Sequence, residues 1–176
     1  MRGLVRPLRF VAFSVPLFLA WEWILRTPYL TLLAHTFAIM ARACGIKVHV
    51  VEVLGGNIRF AYGDVVWVDE FGLTGVNVVA FVALAVATGP VSWPRRGRMV
   101  LIGTALLFAT QILGLWTDIV HVHLHAQAST AAFAAGLRAF MTGFGTFFFP
   151  LFIWLWLVRD HLPFTRAPEP GRVDSL

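Results

Sequence analysis

The sequence has very little charge. Charged residues make up only 13% of its 176 residues, whereas 59% are hydrophobic, and the mean hydropathy is +0.77. So few polar side chains cannot cover the outside of a soluble domain. The composition therefore excludes a soluble globular protein and predicts an integral membrane protein whose first partner is the lipid bilayer.

Cysteine is nearly absent, and basic residues outnumber acidic ones. The single cysteine, Cys44, excludes an internal disulfide and a cysteine-rich metal site. Fourteen Lys and Arg against nine Asp and Glu give a net charge of +5, but the basic residues cluster at the ends of apolar runs. Such clusters orient a chain in a membrane, so no nucleic-acid partner is expected.

Four apolar runs predict four transmembrane helices, at about 8–25, 73–89, 99–116 and 139–158, with a small-residue loop over 127–135 before the last. Arginine clusters precede the first run and separate the second from the third: Arg2, Arg6, Arg9, then Arg95, Arg96 and Arg98. Four spans put both clusters and both termini in the cytoplasm, as the positive-inside rule requires. The first run lacks a clear signal-peptide cleavage site, so it is a retained anchor in the bacterial inner (cytoplasmic) membrane.

The stretch 29–43, opened by Thr27-Pro28, admits two interpretations. If it crosses the membrane, every later loop changes side and the arginines at 95–98 fall outside. If it lies in the interface, the charge rule is obeyed. We therefore expect an interfacial helix, with a spanning helix as the alternative.

Residues 46–68 change to a period of two, with glycine turns at Gly55-Gly56-Asn57 and Gly63-Asp64. This pattern predicts two or three short antiparallel strands, forming a small extracytoplasmic hairpin or sheet. The predicted fold class is thus a mainly α, polytopic membrane protein with an added sheet. Residues 1–161 would form one membrane domain, and 162–176 a disordered cytoplasmic tail.

The order of these elements resembles the exosortase and archaeosortase family of membrane transpeptidases, especially its small exosortase-H-like members. The resemblance covers roughly residues 8–158. It depends on Gly45–Val50, the strand pair, the Gly72-x-x-Gly75 turn that opens a helix, the arginine loop and a helix with a polar outer rim. It implies the family's fold and a site at the outer face, where the family uses a cysteine, an arginine and a third basic residue.

The sequence departs from the family at both principal catalytic positions. Leu73 stands where the family has the nucleophilic cysteine, and residues 114–118 contain no arginine. Acyl transfer needs an activated nucleophile together with oxyanion stabilisation, so loss of the activity is predicted. Thr74 and Cys44 are weak substitutes, because a threonine hydroxyl needs a positioned base and a lone cysteine is usually a small apolar residue.

Histidines provide the remaining candidate sites. On a helix, Asp118, His121 and His125 share one face; on an extended chain, His121, His123 and His125 would instead. Either arrangement suits a divalent metal, and a polar rim at the lipid headgroups explains the cluster as well. His35, within an apolar stretch, suits an axial ligand to haem or chlorophyll, or a hydrogen-bonded histidine between helices.

The sequence favours a non-catalytic, exosortase-like structural or accessory subunit of a larger membrane complex, with other membrane proteins as partners. An energy-converting assembly, photosynthetic or respiratory, would suit the aromatic surface and His35. The first alternative is an exosortase-type membrane peptidase or transpeptidase with a displaced nucleophile. The second is a membrane protein that binds metal through Asp118, His121 and His125.

Overall fold

The structure, a computed structural model, describes residues 5–70, 74–88, 91–124 and 128–159. It is mostly helical with one small antiparallel sheet, which confirms the predicted fold class in its coarse form. The helices are α1 (Val5–Ala20), α2 (Arg26–Ala43), α3 (Thr74–Ala87), α4 (Trp93–Leu124), α5 (Ala128–Ala139) and α6 (Thr146–Val158). The strands are β1 (Val48–Leu54), β2 (Asn57–Tyr62) and β3 (Val65–Glu70), and π-helical turns occupy Trp21–Leu25 and Phe140–Gly145.

Helices α1 and α2 form one continuous rod, joined by the π-turn Trp21–Leu25. The prediction of a separate helix over 29–43, starting at Thr27-Pro28, was therefore wrong in its boundary. A proline in the first turn usually marks a helix start. Here the backbone N–H of Arg26 bonds to the carbonyl of Trp21, five residues back, so the helix changes its hydrogen-bonding pattern just before Pro28 and continues through it.

Helix α4 is longer than the apolar run that predicted it. Helix α4 begins at Trp93, so the arginines at 95–98 lie in its first turns and not in a loop. Residues 128–139, within and after the predicted loop, are helical and join α6 through the second π-turn. The predicted tail over 162–176 lies outside the described residues.

The sheet is an antiparallel meander in the order β1-β2-β3. Val48 pairs with Tyr62 and Leu54 with Asn57, while β2 and β3 pair from Tyr62–Val65 to Asn57–Glu70, with an irregularity after Val50 in β1. Both turns lie where the sequence predicted them, and φ is positive at Gly55, Gly56 and Gly63, a conformation that glycine adopts readily. The three strands were thus predictable from local chemistry.

Three clusters of buried side chains follow one another along the helices. The sheet cluster joins α2, β1, β2 and α4 through Leu30, Leu33, Ala34, Phe37, Ala41, Val48, Ile58, Phe60, Ile112, Leu115 and Ile119. The middle cluster joins the first rod to α3 and α4 through Trp21, Val78, Val79, Phe81 and Leu107. The basal cluster joins Val91, Met99 and Val158, near the start of α4 and the end of α6.

Two helical stretches, Phe10–Ala43 and Trp93–Val120, are long and apolar enough to cross a membrane. Shorter apolar helices cover Asn77–Ala87 and Phe148–Val158. At 1.5 Å per residue, Trp93–Leu124 is about 48 Å long, more than the roughly 30 Å of bilayer hydrocarbon. These dimensions favour a membrane protein whose long helices project beyond the hydrocarbon.

Candidate functional site

The sheet meets the first rod at a point that we name the hairpin junction, formed by Glu22, Arg26 and Gly56. The i, i+4 spacing of Glu22 and Arg26 predicts an ion pair, and in the structure Arg26 Nη1 pairs with Glu22 Oε2. The other side of the guanidinium lies against the Gly55-Gly56 turn, in the space that a Cβ on Gly56 would take. The junction thus couples the π-turn of the rod to the tip of the first hairpin.

The hairpin junction lies at the end of the sheet where α3 begins. Asn57, the residue after the turn, pairs with Glu70, the last residue of β3, and α3 opens at Thr74. Leu73, which stands at the nucleophile position that the resemblance to exosortases implies, lies outside the described residues, and so does Gly72. Helical spacing predicts only that Arg26 lies beside Glu22. The contact of Arg26 with the hairpin joins residues about thirty positions apart, so local spacing does not predict it.

Cys44 lies at the opposite end of the sheet from Thr74. It follows α2 and precedes β1, whose first residue, Val48, pairs with Tyr62 at the far end. Six-residue strands separate the two ends by about 16 Å. Because of this separation, the structure does not bring the two substitute nucleophiles together, and neither can assist the other in catalysis. Cys44 is also exposed.

Comparison of the chain with protein family models, curated proteins and solved structures gives no match. The resemblance to exosortases therefore stays a prediction from residue pattern. Chemically, the hairpin junction holds an ion pair and a glycine turn, and neither is a nucleophile.

The histidine cluster falls on the end of α4, which is helical through Leu124. Asp118 and His121 are therefore three residues apart on a helical backbone, which is the spacing that the helical alternative requires. His125 lies outside the described residues. Among the residues that the structure describes, no group of three histidine, cysteine, aspartate or glutamate side chains could hold a metal.

His35 is exposed on α2, between the buried Leu33, Ala34 and Phe37 that face the sheet cluster. Its imidazole therefore lies on the outside of the rod. A haem or chlorophyll bound there would occupy the protein surface or an interface with another subunit, and not the interior of this chain.

We expect purified protein and a variant carrying His121→Ala with His125→Ala to contain equal amounts of divalent transition metal. Asp118 and His121 are two of the four ligands that a four-coordinate site needs, and the described residues contain no group of three such side chains that could hold a metal. Elemental analysis after dialysis measures the metal content per chain. Stoichiometric zinc in the wild type that disappears in the variant would instead support the metal-binding alternative.

A polar pair that the sequence did not reveal connects the first rod to α4. The Tyr29 hydroxyl donates a hydrogen bond to Gln111 Oε1 at 2.5 Å, and Tyr29 packs on both the sheet cluster and the middle cluster. The two residues are 82 positions apart, so local spacing carries no signal for their contact. The pair fixes the rod against α4 at the boundary between the two clusters.

Proposed function

We propose that the chain crosses the bilayer four times with both ends in the cytoplasm and the sheet outside. Two helical stretches are long and apolar enough to cross, and in this proposal the two shorter apolar helices, Asn77–Ala87 and Phe148–Val158, belong to the other two crossings. The basal cluster brings together Val91 just before α4, Met99 near the start of α4 and Val158 at the end of α6. The arginines at 95–98 and Arg159 flank this cluster, so four crossings satisfy the positive-inside rule.

Arg96 supports this assignment by closing the connection between α3 and α4. Its guanidinium donates hydrogen bonds to the carbonyls of Val86 and Val91 and lies 4.8 Å from the Trp93 ring centre. These contacts satisfy carbonyls at a helix end, and tryptophan and arginine together are typical of a membrane–water boundary. The basal end is therefore the cytoplasmic one in our proposal.

The opposite end lies outside the hydrocarbon because it carries an open sheet. Sheet edges have unpaired backbone groups that hydrocarbon cannot satisfy, and β1 and β3 are both edges of this sheet. The sheet packs on α2 and on the part of α4 that includes Leu115 and Ile119. Those parts of the helices consequently project from the membrane with the sheet.

Exposed apolar side chains on helix α5 support the proposal that the protein binds a partner protein. It follows α4 after a connection of three residues and packs back on it, so it runs antiparallel beside the last third of α4, at the level of the sheet. It nevertheless exposes 76% of Phe133 and 38% of Leu137. Lipid does not cover this level, so these apolar side chains require contact with another protein.

We therefore propose that the protein is a non-catalytic, exosortase-like accessory subunit of a larger membrane complex, with α5 in its subunit interface. Leu73 at the nucleophile position and the separation of Cys44 from Thr74 support a role without acyl transfer. The displaced-nucleophile alternative has no comparable support among the described residues.

The test is purification from native membranes in mild detergent, with the wild type compared with a variant carrying Phe133→Ser and Leu137→Ser. We expect stoichiometric membrane proteins to accompany the wild type and to fall at least about tenfold in the variant, because each lost apolar contact costs roughly 1 kcal/mol or more. Mass spectrometry of the purified complexes gives the ratio.

Val66→Ser is the matched control, because Val66 is also an exposed apolar residue of the outer level but lies on β3. This variant should retain the partners. A wild-type protein that elutes alone and monodisperse, or equal partner loss in both variants, would overturn the accessory role of α5.

A further inference from the structure

A cavity of about 410 Å³ lies between the first rod and α3, with Thr104 of α4 at its back. Its inner wall includes the buried Trp21, Val78 and Val79, and its rim includes the exposed Leu25, Pro28 and Leu32. Pockets that hold small ligands have volumes of roughly 300–1,000 Å³. The cavity is therefore large enough for part of a lipid-soluble molecule.

The lining selects a hydrocarbon occupant. Apart from Thr104, the Tyr29 hydroxyl and the Trp21 indole N–H, its side chains are aliphatic: Leu17, Leu25, Pro28, Leu32, Val78, Val79 and Val82. The Tyr29 hydroxyl already donates a hydrogen bond to Gln111. A buried water molecule needs two to four polar partners, so water is not stable in a cavity with such an apolar lining. In a bilayer, a hydrocarbon chain is the abundant species that does.

Trp21 adds a requirement for one acceptor atom. The residue is only 4% exposed, and among the described residues its Nε1–H has no hydrogen-bond acceptor. A buried N–H without an acceptor costs about 1–3 kcal/mol. The atom is enclosed in the present conformation, so the indole must turn toward the cavity that it lines to reach an acceptor on a ligand.

We propose that this cavity binds one hydrocarbon chain that carries an ester or ketone oxygen, and that the Trp21 N–H donates to this oxygen. Two membrane molecules share this chemistry: the acyl ester of a phospholipid and an isoprenoid quinone. The proposal uses the membrane placement given above but not the accessory role. Loss of a bound chain and loss of partner proteins are separate measurements, so either can fail alone.

The experiment measures the lipid that remains on the purified full-length protein. Wild type and Val82→Phe are washed in detergent, and the bound molecules are extracted and weighed by mass spectrometry. We expect about one molecule per wild-type chain and a decrease of about tenfold or more in Val82→Phe, because the larger ring fills the space of the chain. Fatty-acyl masses identify the phospholipid source, and prenyl masses the quinone source.

Two further variants guard against a folding defect in α3. Val86→Phe makes the same change one turn along α3, away from the cavity lining, and should retain the chain. Leu32→Trp narrows the exposed rim from α2 without entering the α3 core, and should lose it as Val82→Phe does. Equal lipid content in wild type, Val82→Phe and Leu32→Trp would overturn the binding site.

Trp21→Phe tests the assigned donor, because it keeps an aromatic side chain and removes the N–H together with the five-membered ring. Titration of the delipidated protein with a synthetic phospholipid or a prenylquinone should give a dissociation constant about tenfold weaker than that of the wild type for the bound class. An unchanged constant would overturn the role of the indole N–H.

Discussion

Replacing Phe37 by alanine is expected to lower the free energy of unfolding by about 3–5 kcal/mol. Phe37 is fully buried in the sheet cluster. Its ring packs edge-on against Phe60 of β2 at 5.3 Å and against Trp116 of α4 at 5.7 Å between ring centres. One side chain thus joins α2, the sheet and α4, and its removal leaves a cavity among three elements.

The measurement is thermal or denaturant unfolding of the purified protein in detergent, with Ile39→Ala as the control. Ile39 is two residues along α2 and 60% exposed, so its truncation should change the stability by no more than about 0.5 kcal/mol. If both variants show the same change in the free energy of unfolding, the Phe37 side chain does not stabilise the packing of the sheet on α2 and α4.

Replacing Gly56 by alanine is expected to cost about 2–4 kcal/mol, by two additive causes. The backbone φ of Gly56 is +89°, where a side chain costs about 1–2 kcal/mol. The added Cβ would also occupy the position of the Arg26 guanidinium, so Arg26 must move away from Glu22 and from the hairpin.

Gly55→Ala separates the two causes, because Gly55 has a φ of +60° but a Cβ there meets open space. It should show only the backbone cost of about 1–2 kcal/mol. Adding Arg26→Ala to Gly56→Ala should recover part of the larger loss, as expected for residues in contact. Equal destabilisation by Gly55→Ala and Gly56→Ala would mean that the hairpin junction contributes nothing beyond turn strain.

The sequence was most informative where structure depends on local chemistry. The strands follow from a period of two, and the turns follow from Gly55-Gly56 and Gly63-Asp64, residues that adopt positive φ readily. The Glu22–Arg26 ion pair follows from helical spacing in the same way. These features need no knowledge of distant parts of the chain.

Helix boundaries were predicted less well, for an identifiable reason. Hydropathy ended the predicted span at Trp116, before the adjacent polar residues Thr117 and Asp118, whereas α4 continues past them because the sheet packs on its projecting part. Residues 128–139 contain alanine, glycine, serine and threonine, which suggested a loop, yet α4 supports them as a helix. Tertiary packing decided both cases.

The contacts at the candidate sites were not predictable in the same manner. The Arg26–Gly56 contact, the Tyr29–Gln111 hydrogen bond and the cavity all bring together segments that are far apart in sequence. Periodicity within one element contains no information about them. The catalytic prediction at Leu73 concerns a residue outside the described ones, and it stays a prediction.

The π-turn at Trp21–Leu25 sets the rotational phase of the first rod. In an uninterrupted α-helix, Trp21 and Leu33 would differ in direction by about 120°, since each residue advances by about 100°. The turn absorbs one residue, which reduces the difference to about 20°. Trp21 and Leu33 therefore lie on nearly the same side of the first rod, and each packs in a buried cluster that also contains a residue of α4, Leu107 for Trp21 and Leu115 for Leu33. Deleting one residue from this turn would point either Trp21 or Leu33 away from the protein.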